Sequence, residues 1–124
     1  MIQMNNVVKK YPNGVVAVNG ISVDIKQGEF VYVVGPSGAG KSTFIKLMYR
    51  EEKPTSGDVI IAGTNLSKLK NRQVPFLRRQ LGVVFQDFKL LPRLTVYENV
   101  AFALEVIEEH PKKIRNRVME VLEL

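Results

Sequence analysis

Cysteine is absent from the chain and histidine occurs once, at His110. The first absence excludes disulfides, thiolate zinc sites and cysteine nucleophiles. The second excludes any site built on two histidines. No apolar run approaches the roughly 18–20 residues of a membrane-spanning helix. The N-terminal residues alternate between polar and apolar and lack the layout of a signal or transit peptide. Repeats, linkers and low-complexity segments are missing too. What remains is 124 residues, 45% apolar and 24% charged, the composition of a folded domain. The combination fits a cytoplasmic protein.

Acidic residues are scarce in one region. Between Thr64 and Arg93 the basic residues are Lys68, Lys70, Arg72, Arg78, Arg79, Lys89 and Arg93, against Asp87 alone, which matches the net charge of +6 carried by the whole chain. Such a stretch either meets phosphates, nucleic acid or an anionic membrane surface, or is simply a solvated face. No aromatic residues interleave with these charges as single-strand binding requires, and no nucleic-acid partner is expected.

The first part of the chain reads as antiparallel β. Ile2 and Met4 alternate with polar neighbours, Val7 and Val8 continue the run, and Tyr11-Pro12-Asn13-Gly14 is a turn whose Asn-Gly pair suits positive φ. Val15 to Val18 follows, and then Ile21, Val23 and Ile25 alternate with polar residues as a half-buried strand. Phe30 to Val34 has no wet face, which predicts a strand of a parallel sheet covered on both sides. Phe44, Leu47 and Met48 fall at i, i+3 and i+4, which predicts a helix broken by Pro54-Thr55-Ser56-Gly57. Asp58 to Ala62 reads as a short strand. Leu66 to Gln80 reads as one or two short helices interrupted by Pro75, and Leu81 to Phe85 as a second buried strand. Thr95-Val96-Tyr97-Glu98 is a capping box opening a helix with Val96, Val100, Leu104 and Ile107 on one stripe. Pro111 starts a further helix at its first position, with Ile114, Val118, Val121 and Leu122 on its apolar face. His110, between the two helices, reads as a solvated linker residue.

Gly35-Pro36-Ser37-Gly38-Ala39-Gly40-Lys41-Ser42 matches G-x-x-x-x-G-K-[ST], the Walker A loop. Its four fixed positions would be met by chance in about four chains per thousand of this length. The glycines let backbone N–H groups turn inward around phosphate oxygens. Lys41 is placed to reach the β- and γ-phosphates, the Ser42 hydroxyl to ligate Mg²⁺, and the following helix to aim its positive end at the anion.

This loop, extended by Thr43 and preceded by a β-rich segment ending in Gly28-Glu29-Phe30, resembles that of the nucleotide-binding domain of ABC ATPases, and the resemblance runs from Ile2 to Leu124. It implies an α/β P-loop NTPase fold with an N-terminal antiparallel β subdomain and the start of a helical subdomain. The chain would be the N-terminal portion of one ATP-binding domain. Residues 1–85 would hold the β subdomain and P-loop core, and residues 86–124 the Q-loop and the helical start. ATP and Mg²⁺ are the implied ligands. Tyr11 matches the aromatic position that stacks on adenine, a use that suits a flat, stiff side chain, although by itself it also reads as a hairpin-capping aromatic. Val83 to Pro92 matches the Q-loop, with Gln86 as the contact to Mg²⁺ and the attacking water. Gly35, Pro36, Ser37, Gly38, Ala39, Gly40, Lys41, Ser42 and Thr43 form the implied phosphate site.

Tyr49-Arg50-Glu51-Glu52, Val74 to Arg79, Gly82 to Pro92 and Val118 to Leu122 together resemble the bacterial cell-division members of that family. This implies a homodimer on the inner face of the plasma membrane with an FtsX-like integral membrane partner. A competing reading is a non-enzymatic binding module whose helical half docks a membrane partner through Gln86 to Asn99, with Lys89 and Arg93 meeting acidic residues. An importer or lipoprotein transporter would differ only in its partner. A guanylate-kinase-like enzyme shares the loop but places it near the N-terminus. The family's Leu-Ser-Gly-Gly-Gln signature, its Walker B strand and its switch histidine are not in the sequence. Leu81 to Asp87 imitates Walker B, but the resemblance makes it the Q-loop strand and Asp87 non-catalytic. The chain is therefore expected to be a fragment, of low stability alone, that binds nucleotide with negligible hydrolysis. Glu120 and Glu123, the wrong sign for a helix C-terminus, point the same way.

Overall fold

The computed structural model describes every residue of the chain except Ser37 and Ala39. It comprises two compact units, Met1–Gly82 and Val83–Leu124. In the first, β1 (Ile2–Lys10), β2 (Val16–Ile25), β3 (Ser56–Ile61) and β4 (Thr64–Asn65) form a sheet in the order β2-β1-β3-β4. All three pairings are antiparallel. Helix α1 (Lys41–Met48) and the short α2 (Val74–Arg78) complete this unit, with 3₁₀ turns at Leu66–Lys68 and Asn71–Gln73. Met4, Val7, Val18, Val59 and Ile61 of the sheet pack with Phe44 and Leu47 of α1, Leu66 and Leu77 to form the core. The helical reading of Phe44, Leu47 and Met48 is thus the packing stripe of α1.

The hairpin joining β1 to β2 closes with Tyr11 N–H donating to the Val15 carbonyl at 2.9 Å. Of the Asn-Gly pair, only Gly14 takes positive φ. Asn13 contributes its side chain instead, its Oδ1 accepting from Val15 N–H at 3.0 Å.

A bulge in β1 explains why Val7 is buried although period-2 alternation from Met4 would expose it. The register shifts between Met4 and Val7, with Asn6 at φ 47°, so two residues occupy the space of one and both apolar side chains reach the core. The Ser22 hydroxyl holds the bulge, accepting from Asn6 N–H at 2.9 Å and donating to Asn6 Oδ1 at 3.2 Å. Gly57 of β3 lies against it at φ 84°, where a Cβ would stand 2.4 Å from the Asn6 carbonyl oxygen.

Helix α1 ends in a Schellman motif with an arginine where glycine is usual. Arg50 has φ 62°, and Glu51 N–H donates to the Lys46 carbonyl at 3.0 Å. The buried Arg50 guanidinium offsets the backbone cost by donating to the carbonyls of Leu66 (3.2 Å) and Leu69 (3.0 Å). Arg78 of α2 donates to the Tyr49 carbonyl at 2.9 Å, a cation on the orphan acceptors of a helix C-terminus. The Tyr49 hydroxyl donates to Glu51, and this bond to a carboxylate pushes the phenol up to about 12. Pro75 sits in the first turn of α2, so it opens that helix rather than interrupting one.

The two expected buried strands are not strands. Phe30–Val34 and Leu81–Phe85 join no sheet, and Val34 and Val84 are 86% and 93% exposed. A buried parallel strand exists only through neighbours on both sides and cover on both faces. Among the described residues no strand pairs with either segment. Phe30 and Tyr32 instead stack edge to face, with ring centroids 5.0 Å apart.

In the second unit α3 (Val96–Val106) packs on α4 (Pro111–Glu123) around Ala101 and Val118. The capping box is formed, with Glu98 N–H donating to Thr95 Oγ1 (3.1 Å) and Thr95 N–H to Glu98 Oε2 (2.7 Å). The expected stripe is only partly buried, since Val96 is exposed and Ala101 is the fully buried position. Pro111 opens α4, and His110 is its N-cap, with Nδ1 accepting from Lys112 N–H at 3.3 Å. The histidine is therefore a capping residue, exposed but structurally employed.

Two stability predictions follow from this packing. Gly57→Ala combines positive-φ strain with a backbone collision and should cost about 3 kcal/mol or more, whereas Gly63→Ala, whose added carbon meets nothing, should cost about 1 kcal/mol. Urea denaturation of the two variants measures the difference. Arg50→Gly relieves the backbone but removes two charge-assisted hydrogen bonds, and should still lower stability by about 1–2 kcal/mol in the same measurement.

Candidate functional site

The glycine-rich loop runs from Gly35 into α1. Ser37 and Ala39, both assigned to the phosphate site from sequence, lie outside the described residues. Gly38 has φ 82° and Gly40 φ 89°. Gly40 is the N-cap of α1 and its carbonyl accepts the first helical bond, from Phe44 N–H at 2.8 Å. Its position against β2 is tight. A Cβ there would stand 2.0 Å from the Ala17 carbonyl oxygen, so glycine is required twice, by φ and by space.

This arrangement leaves the start of α1 electrostatically open. No side chain caps it, no acid lies in its first turn, and its one basic residue near the other end is Lys46. The first N–H groups of a helix have no internal partner and carry the positive end of the dipole, so the site suits an anion. The Lys41 ammonium donates to the Gly35 carbonyl, which ties the first turn of α1 to the first residue of the loop. Ser42 is exposed on the first turn, while Thr43 is buried. The exposed Ser42 hydroxyl offers one oxygen ligand to a phosphate-bound hard cation, while the neighbouring Lys41 ammonium can meet only the phosphate oxygens. No cluster of three or more carboxylates and imidazoles stands ready to hold a metal among the described residues. Such a cation would depend on Ser42 and on the phosphates themselves.

Tyr11 is brought to this loop from the β1–β2 hairpin. Its hydroxyl and Thr43 Oγ1 are 2.9 Å apart and share a hydrogen bond, and the Lys9 ammonium lies 5.2 Å from its ring centroid. The structure thus gathers Tyr11, Gly35, Gly40, Lys41 and Thr43 at one end of the first unit. Gln86 belongs to the second unit, in the turn 86–89. There Phe88 N–H donates to the Phe85 carbonyl at 3.1 Å, and Phe88 and Lys89 both take positive φ. Asp87 pairs with Lys89 at 3.0 Å, which holds its carboxyl below the usual carboxylate range. That pairing gives the acid a local structural partner.

Two residues escaped sequence reasoning. Lys9 is in an unremarkable basic pair, and only the fold shows it over the Tyr11 ring. Asn99 is a polar helix residue whose amide ties the preceding loop to α3. It accepts from Leu91 N–H (2.8 Å) and donates to the Leu91 (3.1 Å) and Thr95 (2.9 Å) carbonyls. An asparagine one position after a capping box is the only signal for it.

The family described as ABC transporter matches residues 18–124. The cell division ATP-binding protein FtsE of Bacillus subtilis (strain 168) is 68% identical over the whole chain, which covers 54% of that relative. The methionine import ATP-binding protein MetN of Helicobacter pylori (strain ATCC 700392 / 26695) is 44% identical, again over the whole chain, covering 38% of the relative. The chain therefore spans about half the length, or less, of these curated relatives. Among solved structures, the dimeric post-hydrolysis state of the ATP-binding cassette MJ0796 bound to ADP and Pi superposes with a TM-score of 0.86 at 36% identity, over 99% of this chain and 56% of that one. By the family match, the similar relatives and the shared fold, the chain belongs to the ABC transporter family.

Proposed function

We propose that the chain carries the Walker A half of an ATP site in a bacterial cell-division ABC ATPase. The observation that carries this reading is the uncapped, acid-free start of α1, pressed against β2 with Lys41 folded back on Gly35. In this reading the N–H groups from Gly38 to Thr43 surround the β-phosphate. Lys41 exchanges the Gly35 carbonyl for β- and γ-phosphate oxygens, and Tyr11 stacks on adenine. Ser42 and Gln86 would hold Mg²⁺, which when bound neutralises charge between the β- and γ-phosphates. Gln86 also orients the attacking water through its amide oxygen.

Cell division is favoured over import by the higher identity to the FtsE relative than to the MetN relative. The Tyr49-Arg50-Glu51-Glu52 quartet also belongs to this reading. An FtsX-like membrane protein is then the partner, docked through Gln86 to Asn99, and a second ATP-binding subunit completes the nucleotide sandwich. The dimeric cassette MJ0796 supports that last element by likeness. No helix among the described residues is long and apolar enough to cross a membrane. In this reading attachment on the cytoplasmic face goes through the partner. Solute import is the second reading, carried by the MetN relative.

The 124-residue chain should bind ATP, and Lys41→Ala should weaken that binding at least tenfold by isothermal titration calorimetry, since a charge-assisted contact to phosphate is lost. The chain alone should show no turnover above background in a phosphate-release assay. Turnover that Lys41→Ala abolishes would contradict this half-site reading.

A further inference from the structure

We propose that Lys9, held by Glu52, is a positioning residue for the aromatic platform, fixing the Tyr11 ring so that one face alone is open to a purine base. The proposal rests on the reading of Tyr11 as the adenine platform.

The Tyr11 ring is held at two points. Its hydroxyl is bonded to Thr43 Oγ1 at 2.9 Å, and Thr43 is buried in the first turn of α1. The Lys9 ammonium lies 5.2 Å from the ring centroid, inside the range of a cation–π contact. Lys9 does not reach that place by itself. Its ammonium is paired with Glu52 Oε2 at 3.1 Å, with side-chain exposures of only 15% and 29%. Glu52 is positioned in turn by the segment leading into β3, which is sewn to the end of β1. Thr55 N–H donates to the Val8 carbonyl at 2.7 Å, and Lys10 N–H donates to Thr55 Oγ1 at 2.9 Å. The residues that flank the P-loop helix, Thr43 at its start and Glu52 beyond its end, therefore both act on one ring.

The physical consequence is specific. A ring anchored at its hydroxyl and covered on one face by an ammonium has little rotamer freedom left to lose on binding, so stacking costs less entropy. The cation also draws π density away from the open face. That reduces the quadrupole repulsion which otherwise disfavours parallel stacking of two π systems. Because Glu52 neutralises Lys9 and holds it against the ring, the effect falls on the base and not on the phosphates. A free lysine at this position would attract any polyanion.

The test compares Mg²⁺–ATP with Mg²⁺–tripolyphosphate, which has the phosphates without the base, binding to the 124-residue chain by calorimetry. The ratio of the two affinities is insensitive to the folded fraction of a variant. Lys9→Met should weaken ATP about fivefold and leave tripolyphosphate unchanged. Lys9→Arg should restore most of the loss, Glu52→Gln should lower the ratio in the same direction, and the double variant should be no worse than Lys9→Met. A Lys9→Met ratio within twofold of the parent, or an equal loss for both ligands, would overturn the proposal. The underlying reading fails separately. In that case the parent chain binds neither ligand, or Tyr11→Ala leaves the ratio unchanged.

Discussion

The site depends on one close approach, that of the Gly40 backbone to the Ala17 carbonyl of β2. It allows no Cβ at position 40, and it fixes where α1 begins relative to the antiparallel sheet. Everything proposed to touch phosphate follows from that placement. Lys41 folds back to the Gly35 carbonyl, and Thr43 is buried where Tyr11 can meet its hydroxyl. The hairpin that carries Tyr11 is continuous with β2, so the same strand pair that presses on Gly40 also delivers the aromatic ring. The proposed phosphate cradle and base platform are thereby coupled through the sheet.

The other end of α1 is stabilised with equal economy. In Tyr49-Arg50-Glu51-Glu52, Arg50 takes the left-handed conformation that ends the helix and buries its guanidinium against the Leu66 and Leu69 carbonyls. The Tyr49 hydroxyl binds Glu51, and Glu52 reaches Lys9. A stretch that in sequence looks like a helix tail is a set of separate contacts to α2, the 3₁₀ turn and β1. It connects the helix that would hold the nucleotide to three other elements of the first unit. Displacing α1 would disturb all of them.

Much of this was legible from residues. The turn at Asn13-Gly14, the capping box at Thr95, the helix that follows the glycine-rich loop and the helix start at Pro111 are signals in which a few neighbouring residues determine the geometry, and each forms as read or nearly so. Features set by distant partners were not legible. The bulge at Asn5–Asn6 needs Ser22 and Gly57 across two strands, and Arg50 at positive φ makes sense only with the carbonyls of Leu66 and Leu69 in place. Phe30–Val34 and Leu81–Phe85 carry strand propensity, but a strand is a pairing and no strand among the described residues pairs with them. Likewise nothing local in the sequence announces that Tyr11 bonds Thr43 through its hydroxyl and meets the Lys9 ammonium with its ring.

The most direct test of the central claim, that contact with β2 shapes the phosphate site, is the ATP affinity of Gly40→Ala in protein shown by circular dichroism to keep its fold. The added carbon collides with backbone, which no side-chain rearrangement can relieve. The account therefore expects at least a tenfold weaker affinity. Affinity within twofold of the parent in a folded variant would contradict it.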